Sequence, residues 1–168
     1  MKREIQILTN LIRNLKWEAV KIFLSHPLFV FPTVWATIES IQLSEMNFGD
    51  DPNGSGPANA YRHAVWNILI ALYCSKISSV EKSLLWTEKI TNLHEELFPN
   101  DNYNRLMDLH NNKVGRDLFQ KAFNSDKKSK TELLEMLLKK SKSAVGLRSE
   151  SEFQDYRDRL VYCPINNF

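Results

Sequence analysis

Cysteine is scarce: Cys74 and Cys163 are too few for a disulfide framework, and neither lies in a CxxC metal or redox motif. Charge of one sign is also lacking. The 22 basic and 20 acidic side chains leave a formal net charge of +2, which gives no electrostatic case for nucleic acid. The lysines between Lys127 and Lys142 have no interleaved aromatics and read as a solvated face, so no nucleic acid is expected. A long hydrophobic run is missing too. The most apolar stretch, 22–38, is broken by His26, Pro27 and Pro32 and falls short of the about 20 residues of a bilayer span, so it is read as core. The opening MKREIQILTNLIRNLKWEAV mixes charge and apolar residues throughout and lacks the h-region of a signal peptide. The expected location is the cytoplasm, or outside by a route without a classical signal. No stretch alternates like a strand, and none repeats.

What is present fits one domain of 168 residues, 43% hydrophobic and 25% charged, long enough to bury its own core. The expected fold is all-α: a single compact domain of five to seven helices around a central polar-striped helix. Its motif-bearing core covers 48–123, with an amphipathic helix over 2–25 and a helical extension over 130–168. Ile5, Leu8, Ile12, Leu15, Val20 and Leu24 recur at helical spacing among Arg3, Arg13, Lys16 and Lys21. This basic helix suits the surface of the core or contact with an anionic membrane. His26-Pro27 ends it. A more buried helix is expected after Pro32, carrying Val34, Trp35, Ile38, Ile41 and Leu43.

FGDDPNGSGP, from Phe48 to Pro57, is a loop by its glycines and prolines, and Pro57 suits the first turn of a helix running to about Ser75. A fourth helix is expected over 80–97, capped by Ser78 or Ser79, with Leu84, Leu85, Ile90, Leu93 and Leu97 inward. A fifth covers 105–123, with Leu106, Leu109, Val114, Leu118 and Phe119 inward, and a sixth 131–142. Residues 152–162 read as a short helix or an irregular docking segment.

Polar residues interrupt the helices in a pattern. Asn59, His63 and Asn67 stand four apart and form one stripe, beside Arg62 and Trp66. Asp108, Asn112 and Arg116 form another, with Asn111 and Gly115 beside them, while His110 points roughly 200° away. His94-Glu95 is a third polar pair. Gly115 inside a helix forfeits about 1 kcal/mol against alanine, which points to a close approach of backbone or ligand. Buried groups of this kind need partners, because each one left unpaired costs about 1–3 kcal/mol.

Two chemistries suit such a set. His63, His94, Glu95 and Asp108 can hold a divalent metal ion, with Asn59, Arg62, Asn67, Asn111, Asn112 and Arg116 binding an anionic small-molecule or lipid substrate. Without metal, His63 or His94 can act as general base, oriented by Asp108 or Glu95. The Asp50-Asp51 loop can close over the ligand. The expected function is therefore a small hydrolase of an anionic ester or phosphoester, with His63, His94, Glu95 and Asp108 catalytic. The competing class is a non-enzymatic interaction module in which the cluster is a structural polar network.

GPANAYRHAVWNILIA, HEELF and MDLHNNKVGR together resemble a bacterial all-helical domain of unknown function with N-A-[FY]-R-H-A-x-W, H-E and M-D-x-x-N-N-x-x-G-R motifs. The match covers about Phe48 to Arg116. Its motif positions here are Asn59, Arg62, His63, Trp66, His94, Glu95, Asp108, Asn111, Asn112, Gly115 and Arg116. In the family a small-residue stretch often precedes the H-E, where this chain has TNL. The family occurs in secreted and polymorphic-toxin-like proteins, so the resemblance implies an antibacterial effector with an immunity or inhibitor protein as partner.

Overall fold

The computed structural model describes residues 17–49, 56–98, 101–125 and 129–164. They form α1 (Trp17–Ser25), α2 (Pro27–Phe48), α3 (Pro57–Cys74), α4 (Val80–Leu97), α5 (Asn102–Asn124) and α6 (Lys130–Ser141). A two-residue strand β1 (Val145–Gly146), a 3-10 helix (Glu150–Tyr156) and a second such strand β2 (Val161–Tyr162) follow. The strands pair in parallel, Val145 with Val161 and Gly146 with Tyr162, too briefly for alternation to announce them. The class is all-α, as expected. The helix expected over 2–25 lies outside the described residues up to residue 16, and α1 is its remainder.

His26 ends α1, but Pro27, rather than a residue after Pro32, opens α2. Pro32 stands early in the helix, where its missing N–H forfeits one bond to the exposed first turn. The buried face of α2 is Phe29, Thr33, Ala36, Ser40 and Ser44. Small side chains here let α2 press against α3. Ser44 Oγ donates to Ala58 O at 3.1 Å. Trp66 and Trp86 rest their indole N–H groups on Thr37 and Thr33 hydroxyls, both at 2.9 Å. This corrects two expectations. Val34, Ile38, Ile41 and Leu43 are only half-buried, and Trp35 is exposed. The stretch 22–38 is not all core either, since Leu24, Leu28 and Phe31 face solvent.

The central helix is α3, which packs against α2, α4, α5, α6 and β2. Its Tyr61, Val65, Ile68 and Leu69 join Trp86, Ile90, Phe119, Leu133, Leu137 and Leu160 in one core. Helix α4 is capped by Ser79, whose hydroxyl accepts from Lys82 N at 3.3 Å. Its buried face departs from the expected leucines. Leu85 is exposed and Leu84, Leu93 and Leu97 are half-buried, while Ser83, Thr87, Thr91 and Glu95 line up inward. The three hydroxyls donate to the carbonyls four residues earlier, at 2.8, 2.7 and 2.9 Å, so each is satisfied within its own helix. On α5, Leu106 and Leu109 are half-buried rather than core, and Met107 and Ala122 go inside with Val114, Leu118 and Phe119.

Helix α6 begins with a capping box. Ser129 Oγ accepts from Glu132 N at 3.3 Å, and Ser129 N donates to Glu132 Oε2 at 2.7 Å. Ser129→Ala is expected to lower stability by about 1 kcal/mol, read as a fall of about 2–4 °C in Tm. An unchanged melt would mean the box contributes nothing. Lys130 and the Tyr73 hydroxyl both donate to Glu39, tying α6, α3 and α2 together. The C-terminal segment is held by α5: Asn111 Nδ2 donates to Val161 O at 2.8 Å and its Oδ1 accepts from Val161 N at 3.0 Å. Beside it His110 Nε2 lies 2.9 Å from Arg159 O, on the side of α5 away from Asp108.

Candidate functional site

The polar stripes of α3 and α5 meet because Gly115 lets the two backbones touch. A Cβ at 115 would lie 2.3 Å from Ala64 O. At this contact Asn59, His63 and Asn67 of α3 face Asp108 and Asn112 of α5, and the end of α4 adds Thr91 and Glu95. All seven are buried.

Two arginines set the orientation of the amides, since guanidinium groups only donate. Arg116 donates to Asn67 Oδ1 at 2.9 Å, which turns Asn67 Nδ2 toward Asn112 Oδ1, 2.6 Å away. Asn112 Nδ2 is then left for Glu95 Oε1 at 3.2 Å. On the other side Arg62 donates to Asn59 Oδ1, so Asn59 Nδ2 donates to Asp108 Oδ1 at 2.8 Å. His63 sits between the two halves. Its Nδ1 lies 3.2 Å from Asn112 Oδ1, already fixed as an acceptor, so Nδ1 carries the proton. Its Nε2 is therefore left with a lone pair, 3.3 Å from Asp108 Oδ1.

Burial, and then the Arg62 charge, hold the His63 imidazole neutral and push its pKa down to about 3, against its bond to Asn112. Glu95 Oε1 lies 3.5 Å from His63 Nδ1. Burial first and the Asp108 charge second push Glu95 up to about 7, although Asn112, Arg105 and Arg62 favour its charged form. One ligand atom from each of His63, Glu95 and Asp108 falls within 4.8 Å of the others, so the group can hold a metal ion.

His94 is not in that group. Its ring centroid lies 6.5 Å from that of His63, packed edge-on to Trp66 at 5.2 Å and against Phe98 at 5.0 Å. With half-buried Arg62, Trp66 and Phe98 it forms the outer rim of the cluster. Burial, the neighbouring His63 and Arg62 lower its pKa to about 4, against Asp108. Of the residues expected to bind substrate, Asn67 and Asn112 are taken up in internal bonds that orient His63 and Glu95. Asn111 serves the fold instead, because its amide completes the hydrogen bonding of Val161. Arg116 spans Asn67 and, at 3.1 Å, Glu88 Oε1. The Asp50-Asp51 loop lies outside the described residues.

Two contributors escaped the sequence reading. Thr91 Oγ1 stands 3.4 Å from Asn67 Oδ1, and Glu88 anchors Arg116. The signal for Thr91 was present in Ser79, Ser83, Thr87, Thr91 and Glu95, a polar residue at every fourth position of one helix. Glu88 has no such signal, since an exposed glutamate on a helix is ordinary.

No curated protein and no solved structure gives a significant match to the chain. The model of the family described as Domain of unknown function (DUF6973) matches residues 20–145, about three quarters of the sequence, and the chain belongs to that family.

Proposed function

We propose that the chain is a small hydrolase of an anionic ester or phosphoester, assisted by a divalent cation at His63, Glu95 and Asp108. The observation that supports this most is the closeness of the unprotonated His63 Nε2 to Asp108 Oδ1. A neutral Nε2 facing a carboxylate oxygen at 3.3 Å is repulsive unless a proton or a cation lies between them. Histidines that present a nitrogen to metal have the same arrangement, with the other ring nitrogen donating to a fixed oxygen. One imidazole and two carboxylates suit Zn²⁺ or Mn²⁺ and leave room for water. A bound cation supplies a Lewis acid and a water acidic enough to ionise near neutral pH. Around it, Asn112 and Asn59 hold the ligands in orientation, Arg62 brings positive charge to the rim, and His94 is a neutral imidazole beside the cluster.

A metal-stripped sample titrated with Zn²⁺ or Mn²⁺ is expected to take up one ion per chain and to hydrolyse p-nitrophenyl phosphate or its diester. Asp108→Asn and His63→Ala should each reduce metal affinity by about 10–100-fold or more. A second reading, a structural polar network, is favoured by the burial of His63, Glu95 and Asp108. Under it, neither ion binds stoichiometrically, and that result would end the hydrolase reading.

A further inference from the structure

Several large apolar residues of α1 and the first half of α2 stay outside the core. Leu28, Phe31 and Trp35 stand three and four residues apart on one face of α2, and Leu24 precedes them at the end of α1. They are 75%, 76%, 54% and 70% exposed, respectively. Between Ile22 and Ile38 the sequence carries no Asp, Glu, Lys or Arg. Isolated exposed leucines are ordinary, but four large apolar side chains in a row on an uncharged stretch mark an interaction surface.

We infer that the α1–α2 elbow docks on an anionic membrane surface, with Leu24, Leu28, Phe31 and Trp35 entering the boundary between headgroups and acyl chains. Charge favours this occupant. Up to Lys21 the chain carries Lys2, Arg3, Arg13, Lys16 and Lys21 against only Glu4 and Glu18, a basic segment leading directly into the apolar stripe. Side-chain type favours it too, since Trp and Phe concentrate at the membrane interface. The opposite face of α2, with Phe29, Thr33, Ala36 and Ser40, is buried in the fold, Phe29 and Thr33 against Trp86 of α4, so lipid can meet only the outer face. Among the described residues no helix is long and apolar enough to cross a membrane. The elbow therefore lies in the plane of the interface, as amphipathic anchors do. This inference is independent of the hydrolase reading, because none of the four residues belongs to the metal cluster.

The test uses the full chain and vesicles of phosphatidylcholine with or without phosphatidylglycerol, read by flotation and tryptophan emission. Binding to the phosphatidylglycerol vesicles is expected, with a blue shift that Trp35→Phe removes while binding persists. The double variant Leu28→Glu/Phe31→Glu should melt as the parent does, because both positions are exposed, and should partition about tenfold less or weaker. Failure to bind phosphatidylglycerol vesicles overturns the inference. So does binding that the double variant leaves intact, which would place it on the basic segment alone. A soluble dimer that the same variant dissociates would assign the stripe to a second copy of the chain and would equally overturn it.

Discussion

Glu95→Gln is expected to stabilise the metal-free protein at pH 8 by about 2–3 kcal/mol, a rise of about 5–10 °C in Tm. Glu95 is almost fully buried, and burial together with Asp108 raises its pKa from 4.5 to about 7. The sign follows from linkage. A carboxyl whose folded pKa lies above its unfolded one contributes its full stability below pH 4.5. That contribution is lost as pH rises to 7, because the folded protein must then accommodate a buried charge. Glutamine keeps the acceptor that Asn112 uses and never ionises. Metal-stripped wild type should therefore lose stability between pH 4.5 and 7 and the variant should not, as measured by thermal melts across that range. Parallel pH profiles would show that Glu95 is not the group responsible.

With a cation present the order should reverse. An ion at one hundred times its dissociation constant stabilises the folded state by about 2.7 kcal/mol, and Glu95→Gln removes a ligand. A substitution that strengthens the empty fold and abolishes ligand-dependent stabilisation separates a binding site from a structural network. In a structural network the gain in the metal-free protein remains, but wild type shows no cation-dependent stabilisation for the variant to lose. Two carboxylates beside a neutral imidazole in a buried site are destabilising by themselves, and such arrangements are common where a fold gives up stability to function.

The sequence made some of this legible and hid the rest for identifiable reasons. The stripes Asn59-His63-Asn67 and Asp108-Asn112 could be read because polar residues at four-residue spacing share one face of a helix. Helix limits were readable where capping chemistry is local, as at Ser79 and Pro57. Which face of α2 and α4 would be buried was not readable. Hydrophobic periodicity points to Leu85 and Trp35, yet the contacts select Ser40, Ser83 and Thr87, small residues that allow close approach while satisfying their own hydroxyls. The role of Asn111 was also hidden. Beside Asn112 in sequence, it turns to a segment fifty residues away and bonds to Val161, and no local pattern encodes that partner.

Gly115→Ala is expected to destabilise the protein by about 3 kcal/mol or more, although alanine is favoured in a helix by about 1 kcal/mol. The added methyl would lie 2.3 Å from Ala64 O and 2.9 Å from Ala64 C and Cα, closer than real Cβ contacts come. These are backbone atoms of the central helix, so no side chain can swing aside and α3 and α5 must separate. Separation stretches every bond across the contact, including Asn59 to Asp108 and Asn67 to Asn112, and leaves their buried polar groups poorly paired. A fall of about 6–12 °C in Tm is expected. Lys113→Ala, on the exposed side of the same helix, should stay within about 0.5 kcal/mol of wild type. The same displacement widens the distance between His63 and Asp108, so any metal-dependent stabilisation should be lost in Gly115→Ala even where it still folds. A variant that melts like wild type would show that α3 and α5 do not approach this closely. One that melts early but binds metal normally would uncouple the close helix contact from the geometry of the site.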